Sequence, residues 1–353
     1  MLRLTPSEKA LLPCSTMHVA LSSETSDAPA HPTVAPTPRW PTGENEIAIG
    51  CTMLDLSQLS TEQRNPQTMA LDTFTPLQIA EALNAEDANA VAAVGKVLPQ
   101  VAAAIEGAAA ALAAGARVIY LGAGTSGRLG VLDAVECPPT FGVSEDTVVG
   151  IIAGGKDAFV CAREGAEDSP EEGVQDLQAA NLTANDFVVG LAASGRTPYV
   201  IGGLTYAHEL GCKTAAIACV ANSKIGAVAD TAIEPVTGPE ALTGSTRLKA
   251  GTAQKTILNM ISTGAMTLTG KVYQNLMVDV KQTNEKLHDR ARRIVMQATG
   301  CSRDEASAAL DAADGSVKVA LTSILLNVSP DEARAALADA QGHVRDALER
   351  AQA

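Results

Sequence analysis

The chain has 353 residues, a formal net charge of −14 and 46% hydrophobic residues, with only 3% aromatics. That length holds one large or two small domains, with a core built from Ala, Val, Leu and Ile. The acidic balance excludes the broad basic surface that grips nucleic acid or an anionic membrane, so an anionic substrate must be caught by local devices.

Residues 1–52 hold seven of the 17 prolines, in runs such as "APAHPTVAPTPRWP", and show no sustained periodicity. Their composition reads as a disordered leader, with Met53 as an alternative start. A chain beginning at Met53 is therefore expected to keep its activity and its melting temperature. A loss of several degrees on thermal melting would show the leader to be structural.

From about Thr75 to Ala114 the apolar residues recur at helical spacing, and Gly115 ends the stretch. Five short apolar runs follow at 117–121, 148–153, 187–192, 214–219 and 231–234, separated by helical stretches. This alternation predicts an α/β fold, a buried parallel sheet with helices on both faces. A long helix is expected from about Thr246 to Leu268, with Ile257, Leu258, Ile261, Ala265 and Leu268 on one stripe. Beyond Cys301 the chain repeats itself. "SRDEASAALDAADGSVKVAL" (302–321) aligns with "SPDEARAALADAQGHVRDAL" (329–348), each with a capping Ser, a Gly stop and a second helix. The expected organisation is a leader at 1–52, a main domain at 53–295 and a small helical subdomain at 296–353.

Cys14, Cys51, Cys137, Cys161, Cys212, Cys219 and Cys301 form no Cys-x-x-Cys pair, and the five histidines do not cluster. Neither a disulfide framework nor a metal site is expected, and free thiols in an acidic chain fit a cytoplasmic protein. No apolar stretch reaches the length of a membrane span, and the N-terminus lacks a signal-peptide core.

The first apolar run leads into "GAGTSGR" (122–128), which fits G-x-G-x-x-G. A dinucleotide turn also needs an acidic residue at the end of the second strand, and that strand ends in Ala153-Gly154-Gly155. A second Ser-Gly-Arg turn stands in "LAASGRTPYV" (191–200). Hydroxyls and free N–H groups at a helix start make an anion cradle, so two such turns suit one phosphate monoester. A serine there also serves as a plain helix N-cap, and taken singly each serine fits that role as well. Thr125, Ser126, Ser194 and Thr197 are the candidate phosphate ligands. Arg128 and Arg196 are further candidates, or else structural ion pairs. Ser245, Thr246 and Lys249 of "TGSTRLK" open the long helix and are candidates to complete the pocket.

Two acidic stretches follow the first two strands. In "AREGAEDSPEEG" (162–173), Glu164, Asp168, Glu171 and Glu172 read as a solvated face. Glu136 in "DAVECPPTFG" (133–142) differs, standing between apolar residues and a Cys-Pro-Pro turn expected to stiffen the backbone.

From about Thr61 onward the chain resembles the N-acetylmuramic acid 6-phosphate etherases of the sugar isomerase (SIS) superfamily. The motifs that carry the resemblance are "TEQRNP" (61–66), "YLGAGTSGRLGVLDAVECPPTFG" (120–142), "EGAED" (164–168) and "AASGRTPYVIGGL" (192–204). "TGSTRLKAGTAQK" (243–255) and "NLMVDVKQTNEKLHDR" (275–290) continue it, and residues 1–52 have no counterpart in the family pattern. The resemblance implies an SIS-type α-β-α sandwich, a sugar-phosphate substrate, no cofactor and a homodimer with sites built across it. It also implies Glu136 and Glu167 as the acid/base pair. The implied reaction is cleavage of a lactyl ether, by proton removal at C2 of the open-chain aldehyde, loss of lactate from C3 and addition of water. It needs two proton-transfer groups, one starting protonated and one ionised. Glu136 is assigned as the acid for the lactyl oxygen, and Glu167 as the base at C2 or for the added water. A non-catalytic sugar-phosphate regulator and an aldose–ketose isomerase are the alternatives on the same fold. Retention of both glutamates speaks against the first, and the "ECPP" and "EGAED" motifs against the second.

Overall fold

The computed structural model describes residues 60–161, 163–282 and 284–352. The leader expected at 1–52 lies outside these residues. Five strands, β1 (Val118–Gly122), β2 (Val148–Ile152), β3 (Phe187–Leu191), β4 (Lys213–Ile217) and β5 (Thr231–Ile233), form one parallel sheet in the order β2-β1-β3-β4-β5. Each lies within a residue or two of an apolar run read from the sequence. Strands covered on both faces need apolar side chains at every position, and Ile119, Leu121, Val188, Val189 and Leu191 are fully buried.

Alternate residues along a strand face opposite sides, so the sheet carries two cores. Val118, Tyr120, Val189 and Leu191 pack with α1 (Pro76–Val94), α2 (Leu98–Ala113), α3 (Gly124–Phe141) and α7 (Lys249–Leu268). Ile119, Leu121 and Val188 pack on the other face with α4 (Pro170–Ala179), α5 (Pro198–Leu210) and α6 (Lys224–Ala227).

The helical stretch at 75–114 is two helices bent by 67°. Gly95 caps the first, and Pro99, which has no N–H to give, sits in the first turn of the second. The long helix begins at Lys249, three residues later than expected, because residues 242–248 are folded into turns.

A short hairpin, β6 (Val272–Tyr273) with β7 (Leu276–Met277), leads to α8 (Glu285–Thr299). The repeat follows as two helix pairs, α9 (Arg303–Ala312) with α10 (Val317–Leu326), and α11 (Pro330–Asp339) with α12 (Val344–Gln352). Ser302 and Ser329 each form a capping box, with Glu305 and Glu332 respectively. These helices share one hydrophobic cluster, which also takes in Tyr273, Val278, Val280, Ala291, Ile294 and Val295 ahead of residue 296. Asp279 ties the cluster back, accepting from Lys318 at 2.7 Å and Lys271 at 3.2 Å.

Candidate active site

In a sheet of this order, the winding of the chain reverses between β1 and β3, and the loops leaving those two strands open a crevice beyond their C-terminal ends. Gly122 pairs with Leu191 in register, so the two Ser-Gly-Arg turns stand side by side there. The glycines of the first turn serve packing. A Cβ on Gly127 would lie 2.6 Å from the Gly122 carbonyl oxygen and 2.7 Å from Ile152 Cγ1. Gly124 adopts φ +51° with open space where its Cβ would be, leaving its backbone bare on that side.

Helix α3 starts here without a cap. The helices α1, α4, α8, α9, α10 and α11 satisfy an N-terminal N–H with the side chains of Thr75, Ser169, Asn284, Ser302, Ser316 and Ser329. Ala123, at the N-cap of α3, has no side chain to do this, and the first turn of α3 holds no acid. Its donors and dipole are left for an anion. Ser126 is buried at this turn, and its hydroxyl donates to Gln254 Oε1 of α7 at 2.9 Å. Thr125 is half-buried beside Gly251 of the same helix.

At the second turn, Ser194, Arg196 and Thr197 are half-buried. Arg196 forms no ion pair with another of the described residues. Thr197 is the N-cap of α5 and makes no capping side-chain bond. The Glu167 carbonyl accepts from Tyr199 N at 3.1 Å, which fastens the "EGAED" loop to this turn with Glu167 exposed to solvent.

Two of the candidates are engaged by the fold, and one expectation is corrected. Arg128 forms no ion pair with another of the described residues. It donates to the carbonyls of Phe159 at 2.9 Å and Ala158 at 2.7 Å, binding the turn after β2 to α3. Lys249 forms a buried ion pair with Glu86 of α1. The Cys-Pro-Pro segment is helical, not a turn. Pro138 and Pro139 lie inside α3, which runs on to a left-handed Gly142. The prolines fall in the last turn and lack the N–H groups that would have bonded to the carbonyls of Ala134 and Val135.

That last correction moves Glu136. It is exposed on α3 ten residues beyond Ser126, about 15 Å of helix rise from the turn. Glu167 stands at the C-terminal edge of the sheet, and α3 has by then returned toward the opposite edge to start β2. In one copy of the chain the backbone of Glu167 is held to the turn that carries Ser194, while Glu136 lies farther along α3 from the turn that carries Ser126. Glu136 is flanked on its helix face by Leu132 and Val135, 38% and 58% exposed, and by exposed Pro139.

Sequence reading passed over the supports behind "TGSTRLK". Glu240, fully buried, accepts from the backbone N–H of Lys249 at 3.1 Å and Ala250 at 3.0 Å, so it caps α7. Burial raises its carboxyl above the usual range despite those bonds. Asn65 and Thr68, in and beside "TEQRNP", donate to the carbonyls of Pro239 and Ala241 at 3.2 and 2.8 Å, holding the strap that leads into α7. Burial pushes the Glu86 carboxyl up, but its hydrogen bonds to Lys249 and Asn65 outweigh that and hold it below its ordinary value.

Lys249→Met should thus destabilise the fold by about 3–5 kcal/mol, since it strands a buried carboxylate. Chemical denaturation would read the loss. With its folded pKa below the unfolded one, Glu86 contributes stability above the ordinary carboxylate pKa. That stability should fade as the pH drops below about 4.

Residues 100–208 match the glucokinase regulatory protein N-terminal SIS domain, residues 166–263 the SIS domain, and residues 274–314 the C-terminal lid domain of glucokinase regulatory protein. The N-acetylmuramic acid 6-phosphate etherase of Erwinia tasmaniensis is 58% identical over 276 residues, 78% of this chain and 90% of the relative. The enzyme of the same name from Yersinia pseudotuberculosis is 61% identical over 276 residues, 78% of this chain and 94% of the relative. This chain belongs to the N-acetylmuramic acid 6-phosphate etherase family. Among solved structures, a chain from E. coli CFT073 aligns at a TM-score of 0.42 and 15% identity, covering 57% of this chain and 97% of that one. Phosphoheptose isomerase from Neisseria gonorrhoeae aligns at 0.40 and 19%, covering 55% and 98%.

Proposed function

We propose that the chain cleaves the D-lactyl ether of N-acetylmuramic acid 6-phosphate, giving N-acetylglucosamine 6-phosphate and D-lactate, at a site shared by two copies. The observation that carries this reading is the pair of Ser-Gly-Arg turns at the β1/β3 crevice of an etherase-family chain, with Glu167 fastened beside the second. The 6-phosphate sits on the free N–H groups of α3, with Thr125, Ser126, Ser194 and Thr197 as hydroxyl donors and Arg196 as the cation at hand. Ser245 closes the pocket from the α7 side. Arg128 and Lys249 act behind the site, not on the substrate.

The ether oxygen at C3 is a poor leaving group, so the enzyme works through the open-chain aldehyde. Glu167 takes the C2 proton, and the electron pair left behind delocalises into the C1 carbonyl. As C2–C3 becomes a double bond, the C3–O bond breaks and Glu136 delivers its proton to the lactyl oxygen. Water then adds at C3, losing a proton to a carboxylate while C2 is reprotonated. Each glutamate gives and takes a proton once, so both return to their starting state.

Glu136 enters from a second copy. A contact over its face of α3 would cover Leu132, Val135 and Pro139 and would carry Glu136 off its own chain toward a neighbour's crevice. The reading places this homodimer in the cytoplasm, in line with buried free thiols at Cys137, Cys212 and Cys219.

Incubation with N-acetylmuramic acid 6-phosphate should release lactate, and the unphosphorylated sugar should not be turned over. No lactate from the phosphorylated sugar would overturn the assignment.

A further inference from the structure

Gln254 of α7 is wholly buried, and the structure gives its side-chain amide one partner, the Ser126 hydroxyl. Its Nε2 has none, one of four buried side-chain polar atoms left so among the described residues. A buried N–H without an acceptor is costly, and such groups persist where they have a use. Here the orphaned donor sits on the side chain that touches a candidate phosphate ligand.

The direction of the existing bond bears on that use. Ser126 donates its only proton to Gln254 Oε1 at 2.9 Å. A phosphate dianion offers acceptors alone, so Ser126 cannot serve both at once. For Ser126 to donate to phosphate, Gln254 must stop accepting. A half-turn of the amide exchanges Oε1 and Nε2. Nε2–H then donates to Ser126 Oγ, and the hydroxyl proton is released toward the ligand. The unpartnered atom becomes a carbonyl oxygen, which is tolerated without a partner more readily than an N–H. The resulting chain, amide N–H to hydroxyl to phosphate, polarises in one direction and strengthens its last bond.

We propose that Gln254 is the positioning residue for phosphate capture, switching Ser126 from donating inward to donating to the ligand by turning its amide. This rests on the reading of Ser126 as a phosphate ligand. Gln254 touches no substrate, so its effect must pass through Ser126.

The test is a double-mutant cycle with Ser126→Ala and Gln254→Met, reading N-acetylglucosamine 6-phosphate affinity together with kcat and KM for N-acetylmuramic acid 6-phosphate. Ser126→Ala should weaken binding by about 10–100-fold, the scale of a hydrogen bond to a charged group. Gln254→Met should raise KM by about 3–10-fold with kcat nearly unchanged, since its bond to Ser126 acts only through the phosphate contact. In the Ser126→Ala background the Gln254→Met loss should vanish. If Gln254→Met costs as much with alanine at 126 as with serine, or costs nothing while Ser126→Ala does, the switch is wrong. If Ser126→Ala itself leaves affinity unchanged, the phosphate reading fails first. Should Gln254→Met not fold, Gln254→Glu keeps the shape and removes both N–H donors. Its loss of affinity should shrink in the Ser126→Ala background, and an equal loss in both backgrounds would again overturn the proposal.

Discussion

Glu136→Gln should release almost no lactate and yet still exchange the substrate's C2 proton with deuterated water. The amide cannot protonate the departing lactyl oxygen, while the base that opens the reaction is untouched. Loss of one acid or base costs about 10²–10⁴-fold, which an overnight NMR assay resolves for both readouts. Glu167→Gln should lose the exchange along with the lactate. Both side chains are exposed in the single chain, so neither replacement should disturb folding. Wild-type lactate release from Glu136→Gln would end the acid assignment. An exchange pattern reversed between the two variants would keep the pair and invert their roles.

Mixing those two inactive variants should restore activity. About 15 Å of helix rise separates Glu136 from the phosphate turn of its own chain, whereas Glu167 lies at the crevice. If each site takes Glu136 from one copy and Glu167 from the other, a mixed dimer has one intact site and one doubly damaged site. Random pairing in equal amounts makes half the dimers mixed, so about a quarter of wild-type activity should return. Subunits must be allowed to exchange, by co-expression or by unfolding and refolding together. Recovery no greater than the sum of the two parents would place both glutamates in one chain's site and remove the argument for a shared one. Replacing Leu132 and Val135 together by Asp should test the same face by another route, yielding monomers on sedimentation and little activity. Dimers of undiminished activity from that variant would put the contact elsewhere.

Several features were legible from sequence because their causes are local. A strand covered on both faces must be apolar at every position, so 118–122 and 187–191 announced themselves within a residue. Helix starts carry their own caps, and the offset between the helix pairs at 303 and 330 repeats that of Ser302 and Ser329. The two Ser-Gly-Arg turns were visible for the same reason. Strand, turn and helix start are contiguous in the chain, and the family resemblance rests on such contiguous motifs.

What the sequence by itself determined was therefore the kind of element at each place and the chemistry it offers. Which of those groups are available was decided in three dimensions. The partner of Lys249 is Glu86, 163 positions away, and nothing in the spacing of "TGSTRLK" announces it. Arg128 looks like a phosphate ligand until the turn at 158–159 folds back and its carbonyls take the guanidinium. Gln254 carries no signal of its own, and only the crossing of α7 over α3 puts its amide on Ser126. Glu136 is close to the phosphate turn in sequence and far from it in space, because a helix advances about 1.5 Å with every residue and carries the side chain away. A hydrogen bond or ion pair depends on where two chain segments end up, and that is set by the packing of the whole core, not by the residues adjacent to either partner.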